Sequence, residues 1–186
     1  MNGELDFSAS LRERVRLLKG LDVGVFEMLK EKITVTPGAE TLIRVLKRRG
    51  ARCAVLSGGF TPLARWLAER LGIEFVNANF LEVDAATQLL TGELEAGSVI
   101  VDGAFKRARL LEIAEMLGVG KEEILAVGDG ANDLPMLGAA GLGVAVNAKP
   151  RVQEMAPARL NGEMALLDVL FLMGMTGEEV DELAGL

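Results

Sequence analysis

The sequence predicts an α/β fold in which a mostly parallel sheet is covered by helices on both faces. One observation is a β-turn-α unit, in which the apolar run Cys53 to Leu56 is stopped by Ser57-Gly58-Gly59 and followed by a helix near Pro62 to Arg70. The other is a second unit of the same kind, with a helix from Phe105 to Leu117 before the apolar strand Ile124 to Val127. Buried apolar strands that alternate with amphipathic helices are typical of such sheets.

The segments around these units complete the predicted architecture. Leu11 and Val15 fall on one face of an amphipathic helix near the start of the chain. A third strand is expected at Val144 to Val146. Leu81 to Val83 and Leu89 to Thr91 are expected to pair as a small hairpin. The chain is thus expected to contain parallel strands in the sheet and a separate antiparallel pair in the hairpin.

The order of these elements also suggests a division into domains. The regular alternation of strands and helices begins only after residue 34. We therefore expect residues 1–34 to be the remainder of a helical cap and residues 35–186 to be the α/β core.

Composition excludes several kinds of chemistry. The chain has 186 residues, a formal net charge of −7, no His, no Tyr and one cysteine, Cys53. A Ser-His-Asp triad, a Cys-His pair, a disulfide framework or a zinc cluster cannot be built within it. Acid–base chemistry must therefore come from carboxylates, from an amine such as that of Lys106 or from metal-bound water, which favours phosphate chemistry with Mg²⁺.

Charge and hydropathy also restrict the partners. The negative net charge opposes non-specific attraction to nucleic acid or to anionic membranes, so a small molecule or a protein is the expected partner. The chain opens with the polar residues Met1 to Glu4, and its most apolar run, Ala165 to Met173, contains Asp168 and is too short to span a bilayer. We expect a cytoplasmic protein; the sequence does not indicate its oligomeric state.

An acidic, glycine-rich turn follows the predicted strand at Ile124 to Val127. It contains Asp129, Asn132 and Asp133. A helix N-cap would need one such residue, and open α/β sheets place ligands at the carboxyl ends of their strands. Hard oxygen ligands suit Mg²⁺, and Asp129 is the expected direct ligand.

Two other motifs are compatible with parts of this turn. Gly128-x-Gly130-x-x-Asp133 approaches a dinucleotide fingerprint, but an Asp at the last position would crowd the packing and repel pyrophosphate. An EF-hand would need alternating acids and a distal Glu, which are arranged differently here. Both interpretations are weaker than a metal site.

The Ser57-Gly58-Gly59 turn is a candidate anion site because its hydroxyl and backbone N–H groups open a helix. Alone it is better interpreted as an ordinary glycine turn, but together with the acidic turn on a second strand of the predicted sheet it favours phosphate binding. Ser57 as a nucleophile activated by Lys106 is a further alternative, although a Ser-Lys hydrolase would leave the acidic turn unexplained. Lys106 alone reads as a surface lysine at the start of a helix, where the dipole disfavours cations.

Together these residues resemble the haloacid dehalogenase superfamily, which has a Ser after one strand, a Lys before the next and a closing G-D-x-x-x-D. Leu56-Ser57-Gly58-Gly59-Phe60 and Val127 to Leu134 resemble its phosphoserine phosphatase branch most closely. The segment Gly3 to Val15 resembles the cap of that branch, and Asn147-Ala148-Lys149-Pro150 its last loop. The likeness covers essentially the whole chain.

The resemblance implies roles for the core residues. Ser57 and the Gly58 amide would bind the phosphoryl group, and Lys106 would neutralise its charge and position the nucleophile. Asp129 would ligate Mg²⁺, and Asp133 would support the metal shell or the lysine. Such a division suits phosphoryl transfer, which needs positioning and charge neutralisation.

It also implies residues that contact the substrate. Asn132 would contact the phosphate, and Arg14 in the cap would pair with a substrate carboxylate, for which its forked guanidinium is suited. Phe7 and Met1 would line the apolar side of the pocket.

One family motif is absent from the 186 residues. The family begins with a central strand that ends in D-x-D-x-T or D-x-D-x-S, whose first Asp is phosphorylated and whose second is the general acid–base. Asp22 and Asp102 are isolated acids in other contexts. We therefore expect the natural reading frame to start upstream, or this product to be a fragment, with the central strand missing.

The leading hypothesis is a Mg²⁺-dependent phosphatase of serine biosynthesis that converts O-phospho-L-serine to L-serine through an aspartyl-phosphate. A phosphatase for another small phosphorylated metabolite would share every motif. A non-catalytic phosphate-binding or regulatory remnant is the alternative from another class. Unpaired charges at Lys106, Asp129 and Asp133 weigh against that remnant, because without a ligand they would cost stability.

Overall fold

A computed structural model describes the backbone of residues 2–185 and the side chains of residues 7–185. The predicted contact of Met1 lies outside the described residues. The helices in chain order are α1 (Asn2–Arg16), α2 (Val25–Lys32), α3 (Ala39–Arg48), α4 (Thr61–Leu71), α5 (Gly103–Leu117), α6 (Leu134–Ala139), α7 (Pro150–Met155), α8 (Ala165–Leu172) and α9 (Gly177–Ala184). The strands are β1 (Ala54–Phe60), β2 (Phe75–Asn79), β3 (Leu81–Val83), β4 (Leu90–Leu94), β5 (Leu125–Gly128), β6 (Leu142–Val146) and β7 (Ala158–Leu160).

These elements form two compact units. The first comprises the chain up to Thr34 together with Ala54–Asp102, and the second comprises Val35–Cys53 and the chain from Gly103 onward. β1 to β4 lie in the first unit, and β5 to β7 lie in the second. The functional assignment of residues 1–34 to a cap and 35–186 to a core stays a prediction.

The mixed α/β class with parallel strands is confirmed. In the first unit β1 and β2 are parallel, and β3 and β4 form the predicted antiparallel hairpin. In the second unit β5, β6 and β7 form a parallel sheet in that order. The parallel strands thus form two separate hydrogen-bonded sheets in the described residues, where the sequence suggested one.

Burial of the strands follows the number of neighbours that each strand has. β6 lies between β5 and β7, and it is buried from Gly143 to Val146. β1 pairs with β2 alone, and none of its 7 residues is buried. β5 pairs with β6 alone, and of its residues only Ala126 is buried. Both strands were predicted to be buried, and their exposure reflects the lack of a second neighbour in the described chain.

The core of the first unit explains the predicted stripe of α1. Leu11 and Val15 are each 1% exposed and pack with Leu94 of β4. Partly buried Phe7 and Phe60 pack against this cluster. The amphipathic period of α1 is therefore confirmed, and Phe60, at the end of β1, is tied to the same cluster.

The core of the second unit is formed where helices cover the β5–β6–β7 sheet. Val45 of α3 and Val169 of α8 pack with Val144 of β6, and all three are fully buried. α9 closes the cluster and is held at its carboxyl end, because Arg44 and Arg48 donate to the carbonyl oxygens of Ala184 and Leu183. Cations at that end also complement the helix dipole. None of the helices between residues 2 and 185 is long and apolar enough to cross a membrane.

The predicted elements agree with the observed ones to within a few residues, with one difference that concerns function. β1 does not stop at Leu56 but continues through Ser57, Gly58 and Gly59 to Phe60. Its pairing with β2 is regular to Leu56 and then shifts in register before Phe60. The glycines therefore produce an irregular strand segment where the sequence predicted a turn.

The amino end of α9 should respond to acid. Thr176 caps this helix, and its backbone N–H and hydroxyl donate to the Glu179 carboxylate, which lowers the pKa of Glu179 below its ordinary 4.5. A lowered pKa contributes stability above the ordinary value, and that contribution is lost as the pH falls through the folded pKa. We expect the amides of α9 to lose hydrogen-exchange protection as the pH falls from about 6 to about 3.

The variant Glu179→Gln should weaken this pH dependence, because its neutral side chain has no such titration. Glu178→Gln, in the same first turn and exposed, is the matched control and should keep it. Equal acid sensitivity of α9 in both variants would contradict the assignment to Glu179.

Candidate active site

Ser57 lies in the irregular segment of β1. Ala54, Val55 and Leu56 pair with consecutive residues of β2, and the next pair is Phe60 with Asn79, so residues 57–59 lie opposite Ala78 alone. The Ser57 hydroxyl oxygen accepts a hydrogen bond from the Gly59 N–H at 3.0 Å. A hydroxyl that accepts one bond keeps its hydrogen for another acceptor. The half-buried Ser57 can therefore donate to an anionic oxygen.

The other predicted residues of the first unit lie on α1. Arg14 is exposed, and its Nε donates to the Ser10 carbonyl oxygen one turn earlier at 3.3 Å. That bond uses one of the five N–H groups of a guanidinium, so the forked end stays available for a carboxylate. Phe7 is half-buried against the cluster of Leu11, Val15 and Leu94. Its role at the apolar side of a pocket stays a prediction.

In the second unit the Asp133 carboxylate folds back over the turn that follows β5. Its Oδ2 accepts the N–H groups of Asp129 at 3.1 Å and of Gly130 at 2.9 Å. A Cβ at Gly128 would lie 2.5 Å from the Asp133 Cβ, which is closer than two such atoms approach. Position 128 thus requires glycine because the Asp133 carboxylate approaches it closely. The requirement does not depend on the backbone dihedral angles of Gly128.

Asp133 also pairs with Lys106. The Lys106 Nζ lies 2.6 Å from the Asp133 Oδ1, and the two residues are 6% and 4% exposed. Lys106 is in the first turn of α5, where the helix dipole disfavours a cation, and the adjacent carboxylate offsets that cost. Removing one member of a buried ion pair leaves an uncompensated charge at a cost of about 3–5 kcal/mol. The two side chains therefore act as one unit.

Asp129 and Asn132 complete the predicted group in the second unit. Asp129 is exposed and Asn132 is half-buried. Within residues 7–185 neither side chain is recorded in a hydrogen bond or an ion pair. The N–H groups of Asp129 and Gly130 are engaged by Asp133, whereas the Asp129 carboxylate is available among the described residues. This arrangement is better suited to a cation than to an anion.

The donor set fits Mg²⁺ in part. Asp129 offers a free, hard carboxylate, which is the kind of ligand that Mg²⁺ takes. Both oxygens of Asp133 are used by Lys106 and by main-chain N–H groups, and its part in a metal shell stays a prediction. The described residues contain no group of three or more His, Cys, Asp or Glu side chains able to hold a metal ion together. The remaining ligands would have to be water, the substrate or residues beyond the described part.

A buried residue that the sequence did not single out lies beside Ser57. Asn79 ends β2, is 1% exposed and donates from its side-chain amide to the carbonyl oxygens of Gly58 and Gly59. In the sequence it reads as an ordinary polar residue at the end of a strand. One signal could have marked it. Asn79 ends the short segment that begins at Phe75, and this segment is the strand β2 that pairs with β1.

The family of the chain follows from its match to known proteins. A profile of the haloacid dehalogenase-like hydrolase family matches residues 2–138. The chain belongs to this family. The matched segment includes β1 to β5 and the residues of both groups described above.

Curated relatives agree with this assignment. A phosphoserine phosphatase of Streptomyces coelicolor is 50% identical over 184 residues, which are 97% of this chain and 43% of that protein. A phosphoserine phosphatase of Saccharomyces cerevisiae is 44% identical over 97% of this chain and 57% of its own length. The chain thus spans about half the length of these relatives.

Solved structures give the same fold. A substrate-bound phosphoserine phosphatase is 38% identical, with a TM-score of 0.83 over 92% of this chain and 80% of that one. A hydrolase of the haloacid dehalogenase family from Salmonella enterica serovar Typhi is 35% identical, with a TM-score of 0.82 over 92% of this chain and 58% of that one. The fold class and the family are therefore established independently of the motifs.

The close approach at Gly128 can be tested by substitution. We expect Gly128→Ala to lower the free energy of unfolding by about 1–3 kcal/mol, because the added methyl group displaces Asp133 from Lys106 and from the turn. Equilibrium unfolding in urea measures this loss.

Gly138→Ala in α6 is the matched control, since a Cβ there meets nothing within 4 Å. It should be neutral or stabilise the chain by about 0.5–1 kcal/mol, as is usual for Gly to Ala in a helix. A Gly128→Ala protein as stable as Gly138→Ala would show that the Asp133 carboxylate does not need this glycine.

Proposed function

We propose that the chain is part of a phosphatase that hydrolyses O-phospho-L-serine to L-serine and phosphate. The observation that carries the proposal is the buried Lys106–Asp133 pair beside the exposed carboxylate of Asp129, which has no partner among residues 7–185. A fixed cation and a free hard ligand are what a phosphoryl group and its metal ion require. The similarity to phosphoserine phosphatases supports the choice of substrate.

Lys106 and Ser57 are proposed to stabilise the phosphoryl group. Asp133 orients the Lys106 ammonium through one oxygen and holds the turn through the other, so the cation is fixed before substrate binds. Preorganised charge of this kind requires no rearrangement during the reaction. Ser57 is proposed to donate its hydroxyl hydrogen to a phosphoryl oxygen that the Gly58 amide also binds, and a phosphate contact is likewise proposed for Asn132.

Mg²⁺ is the proposed cofactor, with Asp129 as its ligand. The ion, when bound, would neutralise charge on the phosphoryl oxygens. Asp133 would support the ligand shell indirectly, because its hydrogen bonds fix the main chain on which Asp129 stands. A cytoplasmic location and a role in serine biosynthesis are carried forward as predictions.

The nucleophile is proposed to come from a D-x-D-x-T/S segment outside the 186 residues. The support is the half-exposed state of β1 and β5, each of which has a partner on one side only in the described chain. Unpaired strand edges expose a row of N–H and C=O groups that another strand can satisfy. A strand that carries the motif would bury apolar residues that the present chain leaves accessible.

Phosphate release from O-phospho-L-serine tests this proposal. We expect turnover in a protein extended upstream through the motif and none in the 186-residue chain alone. Asp129→Asn in the extended protein should lower kcat by about a hundredfold or more, because a charged metal ligand is lost.

Each other outcome has a distinct meaning. Turnover by the 186-residue chain would place the nucleophile within it and overturn the proposed mechanism. If neither protein releases phosphate from O-phospho-L-serine, another phosphorylated metabolite or a non-catalytic phosphate-binding role takes its place.

Arg14 is proposed to select the substrate by its carboxylate. We expect Arg14→Ala in the extended protein to raise KM for O-phospho-L-serine by about tenfold or more, because a charged hydrogen bond is lost. O-phosphoethanolamine lacks the carboxylate, so its kcat/KM should be nearly unchanged. Steady-state kinetics on both substrates measure this difference.

Arg12→Ala is the matched control, since Arg12 is also exposed on α1. It should leave the preference for O-phospho-L-serine intact. An Arg14→Ala enzyme that loses activity equally on both substrates would contradict a role in carboxylate recognition.

A further inference from the structure

The irregular segment of β1 depends on one side chain of β2. The Asn79 amide donates to the Gly58 carbonyl oxygen at 2.9 Å and to that of Gly59 at 3.3 Å, and its Oδ1 accepts the Val101 N–H at 2.9 Å. All of these residues belong to the first unit. Two glycines bring no side chains to stabilise the segment, so the amide replaces regular strand pairing with β2 there.

Planarity of the peptide bond extends this effect to Ser57. The carbonyl oxygen and the N–H of the peptide that joins Gly58 to Gly59 point in opposite directions. Asn79 holds the carbonyl end, and the N–H end donates to the Ser57 hydroxyl oxygen at 3.0 Å. Fixing one end of this peptide therefore fixes the group that orients the hydroxyl.

We propose that Asn79 is a positioning residue that holds the Ser57 hydroxyl, through the peptide between Gly58 and Gly59, in the orientation that binds a phosphoryl group. The proposal deepens the proposed function and rests on the role of Ser57 given there. A polar side chain that is 1% exposed and has a partner for both its nitrogen and its oxygen is suited to such a task, because it has no freedom to turn.

A purely structural role makes different predictions. Asn79 also satisfies the buried Val101 N–H, so its loss should destabilise the unit whether or not it positions Ser57. Thr61 supplies the comparison: it is 7% exposed, and its hydroxyl donates to the main-chain carbonyl oxygens of Ala78 and Asn79. No recorded side-chain bond joins Thr61 to Gly58 or Gly59 in the described residues.

The variant Asn79→Asp separates the two roles because its effect depends on pH. The ionised carboxyl keeps the acceptor for Val101 but cannot donate to Gly58. The protonated carboxyl donates one hydrogen and restores that bond, and burial raises the pKa of such a group. The variant should therefore be impaired at about pH 7.5 and recover, relative to the wild type at the same pH, at about pH 5.

The first readout is hydrogen exchange of the Gly59 amide, and the second is affinity for inorganic phosphate, both measured on the extended protein. At about pH 7.5 we expect Asn79→Asp to accelerate Gly59 exchange and weaken phosphate binding by about tenfold each. Thr61→Val should match its loss of global stability while changing neither by more than about twofold. Recovery of both readouts at low pH in Asn79→Asp completes the expected result.

Several results would overturn the proposal. If Gly59 exchange and phosphate affinity change equally in Asn79→Asp and Thr61→Val, Asn79 has a structural role only. The same conclusion follows if neither readout recovers at low pH in Asn79→Asp. If Asn79→Asp does not fold, the wild type decides: the Asn79 side-chain amide resonances should shift on titration with inorganic phosphate, and unmoved resonances reject the coupling.

Failure of the proposed function is distinguishable from failure of this inference. Absence of phosphate release from O-phospho-L-serine by the wild-type extended protein would reject the function. Gly59 exchange and binding of inorganic phosphate would still decide whether Asn79 positions Ser57.

Discussion

The buried pair of Lys106 and Asp133 constrains the rest of the second unit. Both carboxylate oxygens of Asp133 are used, one by the Lys106 ammonium and the other by two N–H groups of the turn after β5. This arrangement needs a glycine at position 128 and leaves the neighbouring Asp129 carboxylate unpartnered in the described chain. A buried ion pair is weak evidence for stability. Its place beside the end of a parallel strand, where open α/β sheets bind ligands, agrees with the role proposed for it.

The second constraint is the pairing of the strands. β6 is buried because it has a neighbour on each side, while β1 and β5 have one neighbour each and stay accessible. Apolar strands gain little from the hydrophobic effect when half of their surface remains in contact with water. A neighbouring strand on the open edge of β1 or β5 would cover this surface and pair the exposed main-chain N–H and C=O groups.

The parts of the fold predicted from the sequence are those with local signals. Helix periodicity, apolar runs and glycine turns are read within a few residues, and α4, α5, the hairpin and β5 lie where these signals placed them. Pairing between distant strands has no local signal, so the separation into two parallel sheets was not predicted. The same holds for the site. The residue types at positions 106 and 133 indicated a charged group, but the contact joins side chains 27 positions apart. Asn79 reaches a carbonyl oxygen 21 positions away, and nothing adjacent to it in the sequence marks that bond.

In both irregular segments a buried side chain binds main-chain groups, but the two side chains bind opposite kinds of group. After β5, a carboxylate draws main-chain N–H groups toward itself, so the turn offers no N–H of Asp129 or Gly130 to an anion and suits a cation. In β1, the amide of Asn79 draws carbonyl oxygens toward itself, so the N–H end of the same peptide faces Ser57 instead. Glycine occurs in both segments because the main chain must approach a side chain closely and because no Cβ then competes for the space. The β1 segment therefore presents a hydroxyl donor at Ser57, and the turn after β5 presents the carboxylate acceptor of Asp129.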